Sequence, residues 1–293
     1  MKVTTIHEKG SNAKNEDRYS VDTTNNYFAV IDGATGLGGF GGDIASETIK
    51  QEMEKQIQSG AQVIDALMYA NRSLLCHYRE SDPGFDIHSL AKEKRSSAGL
   101  AALQLSKHQM SYVHAGDCMI FLGFHNGDIH HVTYDHLAKL DNQAIQAMYK
   151  YGMEKLKKDE DPNAWPEEHL RSFLKDNRND VEDILVANRR KMNTADGYGI
   201  IDGSDSSETY INTGTVQLHG VRSILLLSDG LQIHKEPHSA ANAWQDSAHI
   251  AFSKGLDELY QIINMQEQND PACVNYPRLK TADDKTGILI EFI

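Results

Sequence analysis

The sequence predicts an α+β fold in which helices cover antiparallel sheet, on three observations. Apolar runs of strand length occur in blocks separated by longer helical stretches, not in regular alternation with them. Two pairs of stretches carry apolar residues at helical spacing. Asn126-Gly127 lies between two apolar runs, which is the strongest short hairpin signal. A doubly wound parallel sheet would need strand and helix to alternate throughout, and this chain does not.

The elements follow in order. Tyr27-Phe28-Ala29-Val30-Ile31 reads as a buried strand ending at Asp32-Gly33. A loop rich in glycine follows, with Gly33, Gly36, Gly38, Gly39, Gly41 and Gly42, and a helix begins near Asp43. Ala45, Ile49, Met53 and Ile57 make one apolar stripe, Gly60 breaks it, and Val63, Leu67, Ala70 and Leu74 make a second. Leu100–Leu105, Met110–His114, Met119–Phe124 and Ile129–Val132 read as an antiparallel meander. Residues 137–200 are polar, dense in charge (Lys155 to Asp161) and biased to helix, with Pro166-Glu167-Glu168 as a helix start. We read them as a helical insert. Ser223–Leu227 is again a strand, helices follow around 240–252 and 256–266, and Gly287–Ile293 is a closing strand.

Acidic residues stand at or beside the ends of these strands: Asn15-Glu16-Asp17, Asp32-Gly33, Ser228-Asp229-Gly230 and Asp283-Asp284-Lys285-Thr286. An unpaired carboxylate near a core is expensive. Taken singly, each of these acids could be a solvated charge, a turn or a helix cap. Together they suggest carboxylates that converge and repel unless a cation neutralises them. The pattern points to oxygen ligands for hard divalent ions.

Composition narrows the alternatives. Lys plus Arg number 29 against 42 Asp plus Glu, a net charge of −13, which argues against nucleic-acid binding. Cys76, Cys118 and Cys273 are far apart, without zinc spacing or a disulfide pattern. The amino terminus has no apolar signal core, and no run is long enough for a bilayer, so a cytoplasmic protein without membrane partners is expected. Gly36, Gly38 and Gly41 match a dinucleotide fingerprint, but the acidic strand end required about 20 residues on is replaced by helix. The histidines form no spaced ligand set, and Trp165 and Trp244 read as packing anchors.

The ordered motifs Asn15-Glu16-Asp17, Phe28-Ala29-Val30-Ile31-Asp32-Gly33, Ala115-Gly116-Asp117, Asp135-His136, Leu226-Leu227-Ser228-Asp229-Gly230 and Asp283-Asp284-Lys285-Thr286 resemble the metal-dependent protein phosphatases. These are the type 2C serine/threonine class, here of bacterial type. The resemblance spans nearly the whole chain. It implies a four-layer α/β/β/α sandwich with two central antiparallel sheets, one domain over 1–293, and the insert at about 137–200 as a flap. It implies two Mn²⁺ or Mg²⁺ ions, a phosphorylated protein substrate, and water activated by metal as the nucleophile. Glu16, Asp32 and the Gly33 carbonyl would hold one ion. Asp32 would bridge to the second, which Asp229 and Asp283 complete. Asp117 would approach a third site, against which Ile233 argues, because relatives often carry aspartate there.

Two departures bear on catalysis. Asn12 stands where the family commonly has an arginine that grips phosphate; Lys14, or else Lys9, is the substitute on offer, without the bidentate fork. Ala34 stands where some members have a histidine after Asp-Gly. The expected catalytic residues are therefore Asp32, Asp229 and Lys14. A second reading is a weak or inactive homologue that acts as a binding module. The retained Glu16, Asp32, Asp229 and Asp283 oppose it, and Asn12 favours it. A third reading is a nonspecific phosphomonoesterase that uses the same residues.

Overall fold

A computed structural model describes residues 1–37, 41–81, 83–157 and 160–292. Gly38 and Gly39 of the glycine loop, Lys158 and Asp159 of the charged run, and the closing Ile293 lie outside the described residues. The strands are β1 (Lys2–Glu8), β2 (Arg18–Asp22), β3 (Tyr27–Ala34), β4 (Ser97–Leu105), β5 (Gln109–Ala115), β6 (Met119–Phe124), β7 (Ile129–His131), β8 (Asn212–Gln217), β9 (Val221–Leu227) and β10 (Lys285–Glu291). The helices are α1 (Gly42–Gln58), α2 (Val63–Ser81), α3 (Ala138–Lys155), α4 (Glu167–Asp180), α5 (Glu182–Arg189), α6 (Asp205–Thr209), α7 (Ala243–Lys254) and α8 (Leu256–Asn269).

The strands form two antiparallel sheets, ordered β1-β10-β9-β6-β7 and β2-β3-β4-β5-β8. Side-chain alternation shows how they stack. Along β3, Tyr27, Ala29 and Ile31 pack with Ala45, Ile49, Met53 of α1 and Leu67, Ala70 of α2. Phe28 and Val30 face the other way, onto Ile120, Leu226, Ile288 and Ile290 of the opposite sheet. On the far side, Leu225, Leu227 and Leu289 meet Ala248 and Ala251 of α7 and Leu259 and Ile263 of α8. The result is the four-layer α/β/β/α sandwich. Strands covered on both faces need apolar residues at every position, which is why they read as unbroken runs.

The turn from α7 into α8 is made by Gly255 at φ 95°, a backbone conformation that glycine adopts without strain. The insert, α3 to α5, is fastened by side chains. Asn188 Nδ2 donates to the Leu140 carbonyl (3.0 Å), Lys155 pairs with Asp180 (2.5 Å), and Leu140, Met192, Tyr198 and Ile200 form a small apolar cluster beneath it. After the insert the chain rejoins the main body through Asp202, which Arg95 Nη1 meets at 2.9 Å.

Candidate metal centre

The acidic strand ends converge at one end of the sandwich. Asp32 lies two residues before the end of β3, paired with Gly99 near the start of β4. Asp117 lies in the link from β5 to β6, which crosses from one sheet to the other. Asp229 follows β9, and Asp283 precedes β10, whose Gly287 pairs with Leu227. Glycines clear the space for Asp117. Gly116 takes φ 83°, and a Cβ on Gly99 would lie 3.0 Å from Asp117 Oδ1.

Asp32, Asp117 and Asp229 each offer a carboxylate oxygen, and these atoms lie within 4.8 Å of one another. All three are half-buried, and among the described residues none forms an ion pair. Burial, and then the neighbouring negative charges, push Asp32 and Asp117 well above the usual carboxylate range. Asp229 is pushed up to about 6, by burial first and by Asp283 next, while Lys280 opposes. Like charges held this close favour protonation or a bound cation. Oxygen donors alone, at three corners, fit a hard divalent ion.

The remaining expected residues lie around this trio. Asp283 accepts from Lys280 Nζ (2.6 Å) and from the Asp284 amide (2.9 Å), and its charge is felt by Asp17, Asp32 and Asp229. Glu16 sits on the amino-terminal side. Its Oε1 accepts from the Thr35 hydroxyl and from the Gly42 amide (3.2 Å), and its carbonyl accepts from the Gly33 amide (3.2 Å) and Ser46 Oγ (2.5 Å). Lys14 Nζ is paired with Asp43 at 2.7 Å, and Lys9 Nζ donates to the Asn12 carbonyl at 2.9 Å.

Further acids and their partners hold the site in place, and of these acids only Asp141 stood outside the motifs read from the sequence. Asp284 ties the two ends of the chain together: Oδ1 accepts from the Gly10 amide and Oδ2 from the Glu16 amide, both at 2.7 Å. Buried Asp17 accepts from Ser228 Oγ at 2.7 Å, and Ser228 exchanges bonds with Thr286 (2.9 Å each way). This buttress fixes the backbone that presents Asp229. Asp135 accepts from the Leu137 and Ala138 amides (2.8 Å each) and from Trp244 Nε1 (3.0 Å), which sets the start of α3. One turn on, Asp141 is pushed up to about 7 by burial, then by the charges of Asp229 and Asp135. His136 accepts from the Gly199 amide at 3.3 Å and contacts Asn212 at 2.6 Å, so it links the insert to β8.

The sequence profile of protein phosphatase 2C matches residues 6–270. The chain belongs to the protein phosphatase 2C family. Membership makes this phosphatase a hydrolase of phosphate esters. Among curated proteins, none matches the sequence significantly. Solved structures share the fold. Serine/threonine phosphatase Stp1 from Staphylococcus aureus superposes with a TM-score of 0.55 at 14% identity, covering 99% of this chain and 94% of that one. The Mycobacterium tuberculosis serine/threonine phosphatase PstP/Ppp gives 0.53 at 16%, covering 99% and 98%. The catalytic domain of PstP in complex with two manganese ions gives 0.55 at 14%, covering 99% and 97%.

The phosphatase has no thiol poised as a nucleophile beside these acids. Cys118 is buried, and its thiol is driven well above the usual range by burial and by the surrounding aspartates. Among the described residues, no helix is long and apolar enough to cross a membrane.

Proposed function

We propose that this phosphatase hydrolyses phosphoserine and phosphothreonine in proteins at a centre of two divalent ions, Mn²⁺ or Mg²⁺. The observation that carries the proposal is the trio Asp32, Asp117 and Asp229, three carboxylates within 4.8 Å of one another with no ion-pair partner among the described residues. A partner-binding surface has no use for such repulsion. Asp32 and Asp229 are assigned as the principal ligands, with Asp283 beside Asp229. Glu16 and the Gly33 carbonyl are assigned to the amino-terminal side, and Asp117 to the third side.

Bound there, the ions supply a water activated for in-line attack and offset charge on the transferring phosphoryl group. The chain's own part is to hold the acids in place. The Asp17–Ser228–Thr286 buttress orients Asp229, and Asp284 holds the Glu16 loop against β10. Lys14 would reach a phosphate only by leaving Asp43. Residues 1–293 are read as one phosphatase domain with the insert as its flap. The three free cysteines suit a reducing compartment such as the cytoplasm.

The test is turnover. Purified protein with Mn²⁺ or Mg²⁺ should release phosphate from a phosphothreonine peptide and stop when a chelator is in excess. Undiminished turnover in chelator, with no metal found by elemental analysis, would sink the proposal.

A further inference from the structure

Asp283 is assigned with Asp229 to the second ion, and the backbone brings their two turns together: a Cβ on Gly230 would collide with the Asp284 carbonyl. The Asp283 carboxylate nonetheless does not join the group in which Asp32, Asp117 and Asp229 come within 4.8 Å of one another. It is held by the chain itself. Its Oδ1 accepts from Lys280 Nζ at 2.6 Å and from the Asp284 amide at 2.9 Å. Among the described residues, the Lys280 ammonium has no other hydrogen-bond or ion-pair partner.

The backbone sets Lys280 in this place, because carbonyls on both sides of it are anchored. That of Leu279 accepts from Arg178 Nη1 (3.3 Å) and that of Thr281 from Arg278 Nε (3.0 Å). That of Ala282 accepts from the Ser11 amide (2.9 Å) and hydroxyl (2.8 Å), and that of Asp283 from Lys285 Nζ (2.9 Å). Arg278 is itself buried and paired with Asp270 at 2.9 Å. The lysine stem therefore leaves a fixed chain three residues before the acid it meets. Lys285, the next cation along, is committed to Glu267 at 2.9 Å. On the other side of the centre, Glu16 has no ammonium on its carboxylate. Among the described residues it accepts from neutral donors, the Thr35 hydroxyl and the Gly42 amide.

An ammonium and a divalent ion take the same carboxylate oxygens, and two cations held a few ångströms apart repel. The pair can still open. Lysine is a point charge on a flexible stem, and the Lys280 and Asp283 side chains are 37% and 24% exposed, so both groups meet water when they part. We infer that Lys280 is a built-in competitor for the second ion, and that by holding Asp283 it sets that ion's affinity. The inference rests on the two-ion reading above. It adds the residue that makes the two ions unequal: the ion on the Glu16 side meets no such rival, and the ion on the Asp283 side binds only as Lys280 gives way. Lys280 then fixes the metal concentration at which turnover begins.

The experiment titrates the whole protein with Mn²⁺ by calorimetry, with electron paramagnetic resonance to count bound ions, in wild type, Lys280→Met and Lys280→Arg. Methionine keeps most of the stem and removes the charge; arginine keeps the charge. Wild type should bind one ion tightly and a second about tenfold or more weaker. Lys280→Met should tighten the second ion by about tenfold and leave the first within about threefold, and Lys280→Arg should leave both near wild type. The Mn²⁺ concentration that half-saturates turnover of a phosphothreonine peptide should fall with the second constant. Equal second-ion affinity in wild type and Lys280→Met would overturn the inference, and so would equal tightening of both ions, which would mean a general field and not a hold on Asp283. If circular dichroism shows Lys280→Met unfolded, Lys280→Gln decides by the same two constants. Two ions bound alike in wild type and variant, with turnover intact, would overturn the competitor and leave the phosphatase reading standing. No Mn²⁺ bound by either protein, and no turnover, would overturn both.

Discussion

Two groups of acids in this molecule have opposite surroundings. Asp202 and Asp270 are fully enclosed, and both oxygens of each are occupied. Asp202 takes Ser204 N (3.1 Å), Ser204 Oγ (2.6 Å) and Arg95 Nη1 (2.9 Å). Asp270 takes the amides of Val274, Asn275 and Tyr276 (2.8–3.0 Å) and Arg278 Nη1 (2.9 Å). Asp32, Asp117 and Asp229 face one another instead, without an ion pair among the described residues. The difference is between acids whose bonding capacity the fold uses up and acids that retain it. A carboxylate satisfied by the chain has its work complete at folding, and one left facing others keeps its capacity for a cation.

The strongest way to break this comparison is to neutralise the unpaired group. Asp32→Asn or Asp229→Asn should lower kcat by on the order of 10³, the scale of losing a principal electrostatic stabiliser. In chelator the same changes should leave the melting temperature equal or higher, because they relieve repulsion. Mn²⁺ at a hundredfold excess over its Kd should stabilise the wild type by about 2.7 kcal/mol and the variants far less. Scanning calorimetry with and without metal reads both effects. A variant that is less stable in chelator and still active would place these acids with Asp202.

Neutralising a satisfied acid should reverse the pattern. Asp202→Asn leaves Arg95 enclosed without its counter-charge, at a cost of about 3–5 kcal/mol. Urea unfolding should show that loss, while kcat and Mn²⁺ affinity below the new melting temperature stay within about threefold. Replacing both partners, Arg95→Met with Asp202→Leu, should recover much of the stability, because the desolvation cost of both charges disappears. Loss of Mn²⁺ affinity in Asp202→Asn would show that the two groups are not separable.

How far the sequence reveals these groups depends on how each reaches its place. β3, β4, β6, β9 and β10 were legible because both of their faces are covered. β1, β2 and β8 were not read from the sequence at all, and each is an edge strand. Burial along Asn212–Gln217 alternates between partial and open, with polar residues throughout, which leaves little apolar signal. At the site, Asp32, Asp117 and Asp229 were legible because each ends or adjoins a strand or hairpin. Asp141 was not. It lies on α3 of the insert, and only tertiary packing brings its charge to bear on Asp229. Asp284 was visible as a neighbour of Asp283, but its bonds to Gly10 and Glu16 join residues from opposite ends of the chain.

His114 sharpens the comparison with the smallest effect, because it is a buried titratable group of neither kind. It is wholly enclosed, neither ring nitrogen makes a well-formed hydrogen bond among the described residues, with only a weak approach to the Cys118 backbone, and it packs edge-on to His136 with centroids 4.8 Å apart. Burial, and then the charge of His136, lower it from the ordinary 6.5 to about 3. The sign follows from proton counting. Between these values the unfolded chain binds a proton that the folded chain refuses, so this group makes stability fall as pH drops through that window. Its share is at most about 1.4 kcal/mol per pH unit. His114→Leu removes that share and leaves the rest of the acid response in place. Urea unfolding at pH 7, 6 and 5 should therefore give the variant a shallower decline than the wild type, by up to that slope. Parallel declines would mean that His114 takes up its proton in the folded protein, through a partner reached by rearrangement of the His136 and Tyr134 rings around it.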